Sequence, residues 1–143
     1  AGIRTDEALQ ALHYPEPPVA LVEPLASLVN AAIDLSDGFA QDLGHVLKAS
    51  NRGARVDLHQ LPGIESPLQT PEDLLHWQLY GGDDYQLCFT AAVENHDAIV
   101  AAAQASSIPI HCVGVCHQGS ELIFYNEKGE LVEINGHAWE HFS

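Results

Sequence analysis

The chain has no methionine and few cations. Lys and Arg together number 5 against 20 Asp and Glu, a formal net charge of −15. A surface of that sign argues against nucleic acid and anionic membrane as partners, because both need a cationic face. It also disfavours a bare polyphosphate unless divalent cations accompany it. Cysteine is scarce and odd in number, with Cys88, Cys112 and Cys116 only. That count speaks against a disulfide framework and for a reduced, cytoplasmic setting. No run approaches the roughly 20 apolar residues of a membrane span. The start lacks the basic-then-apolar layout of a signal peptide. There is no Gly-Lys-Ser/Thr phosphate loop, no Gly-x-Gly-x-x-Gly and no serine nucleophile elbow. With no Met in 143 residues, and Ala1 entering a helix-like stretch almost at once, the expectation is a piece of a longer protein.

What is present suffices for one packed domain. Hydrophobic residues make up 46% of the chain, a globular proportion. The pattern predicts a short helix over Thr5–Tyr14, a Pro-rich connector (Pro15, Pro17, Pro18), and a second helix over Ala20–Asn30. A buried strand is expected over Ala31–Leu35. Phe39, Leu43, Val46 and Leu47 recur at helical spacing, with a stop at Asn51-Arg52-Gly53. A strand over Ala54–Leu58 and a Pro- and Gly-containing loop over Leu61–Thr70 follow. Thr70-Pro71-Glu72-Asp73 is a strong helix start, and Gly81-Gly82 ends that helix. Strands are expected over Tyr85–Thr90 and Pro109–Cys116, flanking an alanine-rich helix over Val93–Ser106 anchored by Ile99 and Val100. Glu121–Tyr125 and Glu130–Ile134 read as a hairpin around Asn126–Gly129. Together these make an α/β or α+β domain with helices on a mixed sheet.

The segment Asp34-Leu35-Ser36-Asp37-Gly38 carries most information. Two carboxylates and a hydroxyl sit where a strand turns into a helix, and a helix start favours negative ligands. Acids at such a corner make sense if divalent cations lie between protein and phosphate. A purely structural account also exists: Ser36 as N-cap, Asp37 at the positive helix end, Gly38 for close packing. Asp34 exceeds what capping needs, and Asp42 lies one turn further on.

Other constellations are weaker. His111-Cys112-Val113-Gly114-Val115-Cys116-His117 offers thiols and imidazoles, but in an extended strand Cys112 and Cys116 lie roughly 13 Å apart. A zinc–sulfur bond is about 2.3 Å, so buried strand cysteines are the default. Asp42 and His45 share a helix face and, with Asp34, could be drawn as a catalytic trio; surface or capping contacts explain such a pair equally. Gly81-Gly82-Asp83-Asp84-Tyr85 combines a close backbone approach with adjacent acids, suited to a cationic or hydroxyl-bearing ligand. Trp139 in the tail serves either as core or as a stacking platform.

Taken together, three motifs resemble thiamine-monophosphate kinase. They are Ala32-Ile33-Asp34-Leu35-Ser36-Asp37-Gly38-Phe39 with Asp42-Leu43-Gly44-His45, then Gly81-Gly82-Asp83-Asp84-Tyr85-Gln86-Leu87-Cys88-Phe89-Thr90, then Trp139-Glu140-His141-Phe142. The likeness is to the C-terminal domain of that enzyme, in the superfamily of aminoimidazole ribonucleotide synthetase. It implies a layered α/β/α domain, residues 1–143, that closes a cleft against an N-terminal ATP- and metal-binding domain that also dimerises. The implied activity is a magnesium-dependent, direct in-line transfer of the ATP γ-phosphate to thiamine monophosphate, giving thiamine diphosphate. By motif position, Asp34 and Asp37 would be Mg²⁺ ligands, Ser36 an ATP contact, and Asp83 and Trp139 thiamine phosphate contacts. Asp42 and His45 would be structural supports. The family usually has Glu at the position of Asp83 and often at that of Gln86, which puts the substrate contact in question. The rivals are a sibling ATP-dependent phosphotransferase of the same superfamily and a non-catalytic ligand-binding module.

Overall fold

The computed structural model describes residues 17–63, 70–82 and 86–134, with only the backbone of Pro71 and Glu72. The expected helix at Thr5–Tyr14 and the tail from residue 135 lie outside the described residues, as do Asp83 and Trp139. A 3-10 turn at Val19–Leu21 runs into a single helical turn, α1 (Val22–Leu25). The second helix is therefore much shorter than the pattern suggested. Val29 already pairs with Ala91 across a strand ladder, and that pairing takes the residues a longer helix would have used.

The remaining elements are β1 (Val29–Asp34), α2 (Phe39–Ser50), β2 (Gly53–Asp57), α3 (Pro71–Tyr80), β3 (Leu87–Ala91), α4 (His96–Ser106), β4 (Gly114–His117), β5 (Leu122–Tyr125) and β6 (Leu131–Val132). Two sheets are formed among the described residues: an antiparallel β1–β3 pair, and a mixed sheet in the order β4-β2-β5-β6. In the mixed sheet β2 and β5 run parallel while the outer pairs are antiparallel. The strand expected from Pro109 starts only at Gly114, where pairing with β2 begins.

Local chemistry accounts for most ends. Asn51 adopts the left-handed conformation (φ 51°) that stops α2, as Asn tolerates better than most residues. Thr70 and Asp73 close a reciprocal capping box, with Pro71 at the first helical position. Asn126 folds the β5–β6 hairpin: its side-chain oxygen accepts from the N–H groups of Lys128 and Glu130. Gly129 takes φ 75° there.

The main core lies between α2, α3 and the inner face of the mixed sheet. Phe39, Leu43 and Leu47 meet Ala54, Val56, Phe124 and Leu79. A smaller core joins Leu21 and Leu25 to Ile99 beneath the β1–β3 pair. Ile99 and Ala103 are the buried residues of α4, whereas Val100, expected as an anchor, is 40% exposed. The main core holds Phe39 and Leu43 and so fixes the first turn of α2, a short turn beyond the end of β1.

A candidate active-site corner

β1 delivers Asp34 at its last position, and four residues later Gly38 opens α2. Asp34, Ser36 and Asp37 are all exposed. The carboxylate of Asp34 and the hydroxyl of Ser36 make no hydrogen bond to a described residue. Asp37 accepts one exposed bond, from Gln41 Nε2 at 2.9 Å. Both carboxylates are thus exposed, and among the described residues only that of Asp37 is in a side-chain hydrogen bond.

The helix is not capped by Ser36. Its N-cap is Gly38, at φ 115° and ψ 150°, which has no side chain to donate or accept. The capping group comes from inside the helix. Asp42, only 2% exposed, turns back so that Oδ2 accepts from Ser36 N–H at 3.0 Å, Asp37 N–H at 3.0 Å and Gly38 N–H at 3.1 Å. The three N–H groups of the turn that leads into the helix are thus satisfied by one buried oxygen. His45 is exposed on the same helix, so no catalytic trio with Asp42 and Asp34 forms. The expectation that Asp42 is a structural support matches this geometry.

The second motif packs directly onto the first. A side chain on Gly38 would meet Leu79 O and Tyr80 Cα at 2.9 Å, so α3 ends against the corner. A Cβ on Gly82 would collide with the carbonyl oxygen of Ser36. Leu35 N–H then donates to Gln86 O at 2.8 Å, and Asp34 pairs with Leu87. Gly82 and Gln86 thus both lie against the Asp34–Gly38 turn. Sequence reasoning treated the two turns as separate features; close-packed glycines in both were the signal that they meet.

Beneath the corner, burial pushes the Cys88 thiol up to about 11, and the neighbouring charge of Asp42 adds to this. Cys112 and Cys116 are exposed, not buried as strand cysteines would be. Among the described residues β4 is an edge strand and Cys112 precedes it, and both thiols are exposed.

No group of three or more His, Cys, Asp or Glu is gathered for a metal among the described residues. The donor set that exists is two exposed carboxylates at one turn. Such a set suits a hard dication of the magnesium type, which keeps several waters and is held by one or two carboxylates plus substrate phosphates.

Comparison with known proteins places the chain in a family. The family model for AIR synthase related protein, C-terminal domain, matches residues 5–125. The chain belongs to this family. Thiamine-monophosphate kinase of Escherichia coli (strain K12) is 39% identical over 131 residues, which take in 90% of this chain and 40% of that protein. The crystal structure of thiamine-monophosphate kinase from Stenotrophomonas maltophilia K279a superposes with a TM-score of 0.78 at 36% identity, over 92% of this chain and 42% of that one. A structure of AaThiL complexed with AMPPCP and TMP is 21% identical with a TM-score of 0.75, over 99% of this chain and 43% of that one, and shows the shared fold. The resemblance read from the motifs is therefore sound, and so is the layered α/β fold with a mixed sheet. The chain spans about two fifths of the length of the curated relatives it matches. Among the described residues, no helix is long and apolar enough to cross a membrane.

Proposed function

We propose that this chain is the C-terminal domain of a cytoplasmic thiamine-monophosphate kinase. The whole enzyme would transfer the γ-phosphate of ATP to thiamine monophosphate, giving thiamine diphosphate and ADP, by direct in-line displacement. The observation that carries this reading is the packing of Gly82 on Ser36. It sets Gly82 of the second motif against the acidic corner, which supports a site joining nucleotide to acceptor. The relatives named thiamine-monophosphate kinase support the substrate, as does the AaThiL structure with AMPPCP, an ATP analogue, and TMP.

In this reading Asp34 and Asp37 hold Mg²⁺, which when bound neutralises phosphate charge during transfer. Ser36 presents its exposed hydroxyl to ATP. Asp83 and Trp139 recognise the thiamine end: a carboxylate and an indole face both suit a cationic thiazolium. An N-terminal domain supplies the remaining ATP and metal contacts and the homodimer interface. Little turnover is expected from the present chain by itself.

The test uses the full-length protein. Wild type should phosphorylate thiamine monophosphate in preference to the substrates of sibling enzymes, and Asp37→Asn should lose most magnesium-dependent activity. Normal activity in Asp37→Asn would remove Asp37 from the site. Preference for a sibling substrate would move the protein to another member of the superfamily. Calorimetry that detects neither magnesium-ATP nor thiamine monophosphate would favour a non-catalytic module.

A further inference from the structure

A corner between strand and helix ordinarily offers its free N–H groups to an anion. Here three consecutive N–H groups, of Ser36, Asp37 and Gly38, converge on one point at 3.0, 3.0 and 3.1 Å. Successive amides arranged this way form an anion-binding concavity. The point is filled by Asp42 Oδ2, from a side chain only 2% exposed and anchored in the same helix. The first backbone bond of the helix, from Asp42 N–H to Gly38 O at 3.0 Å, sets Asp42 one turn above the concavity. The concavity is therefore filled by a carboxyl oxygen of the chain itself. What remains outside is Asp34, Ser36 and Asp37, all exposed.

We infer that Asp42 is a positioning residue that sets the selectivity of the corner. It keeps three backbone donors away from ligand phosphate and fixes the turn so that the outward groups are acids, making the corner accept a cation. This rests on Asp34 and Asp37 being metal ligands, as proposed above. The occupied concavity does not rest on it.

The two parts can be tested separately in the full-length protein with Mn²⁺ and with inorganic phosphate as probes. Asp42→Ala empties the concavity. Its Mn²⁺ affinity, read by electron paramagnetic resonance, should fall about 10- to 100-fold, the usual effect of removing a group that orients metal ligands. Inorganic phosphate should raise the melting temperature of Asp42→Ala but not of wild type. Asp42→Asn retains an oxygen acceptor without the charge and should recover part of the Mn²⁺ affinity. Wild-type Mn²⁺ affinity together with no phosphate effect in Asp42→Ala overturns the inference. If Asp42→Ala does not fold, Asp42→Leu, which also lacks an acceptor oxygen, takes its place, and wild-type Mn²⁺ affinity in it overturns the inference. Absence of Mn²⁺ binding in wild type would instead sink the assignment of Asp34 and Asp37, and the phosphate arm would still decide whether Asp42 fills an anion concavity.

Discussion

Gly82 lies against the carbonyl oxygen of Ser36 with no room for a Cβ between them. The contact joins two motifs that are 46 residues apart in the chain, and backbone stands on both sides of it. Neither side can move aside as a flexible side chain would.

Gly82→Ala should therefore destabilise the chain by about 1–3 kcal/mol, the range for overpacking. Gly44 is the matched control. It sits within α2, and a Cβ there would meet nothing within 4 Å. Gly44→Ala should stabilise by about 0.5–1 kcal/mol through reduced backbone entropy. Urea denaturation of both variants checks the pair; a neutral Gly82→Ala would mean that the two turns are not in contact.

Leu79 is 1% exposed in the main core, and its carbonyl is the atom nearest to a side chain on Gly38. Leu79→Ala should cost about 2–5 kcal/mol, as for other buried leucines. Because Leu79 backs the corner, the amide resonances of Ser36, Asp37 and Gly38 should shift as well. A loss of stability with no change at those amides would separate the core from the corner.

The Thr70–Asp73 capping box carries a pH signature. Hydrogen bonds from the Thr70 hydroxyl and backbone N–H hold the Asp73 carboxyl below its ordinary value of 3.8. A lowered acid stabilises above its unfolded pKa, and the contribution fades as pH falls through the lowered value. Thr70→Ala should move the Asp73 titration back up, as read by carboxyl carbon shifts, and should fray the start of α3. An unmoved titration would show that the box does not form in solution.

Cys88 should behave oppositely at high pH. Its thiol is pushed from 9.0 up to about 11, chiefly by burial. A raised pKa contributes stability that is complete below 9.0 and is lost as pH rises through about 11. The denaturation midpoint should fall over that window, and the fall should be smaller in Cys88→Val. Alkylation of native protein at neutral pH should reach exposed Cys112 well before Cys88. Equal rates would show that Cys88 is accessible.

Much of this was legible in the chain because its causes are local. The period of Phe39, Leu43 and Leu47 placed α2. Thr70-Pro71-Glu72-Asp73 placed the start of α3, and Asn126–Gly129 placed the hairpin, since capping and turn chemistry involve neighbours only. The acidic corner was readable for the same reason: its five residues are contiguous. Ser36 misled as a cap because the true acceptor, Asp42, lies six residues on and reaches back only once the helix has formed. The short α1, the late start of β4 and the exposed Cys112 and Cys116 depended on which strands pair and which lie at an edge.

Residue order alone determined the chemistry available: two outward acids and a hydroxyl at a strand end, and glycines where backbones must touch. Tertiary structure decided that the two glycine-bearing turns share one corner. It also decided that a buried carboxylate fills that corner's amide concavity. Both outcomes need segments distant in sequence, or a completed helical turn, to be packed in place by the common core, and no local propensity encodes that.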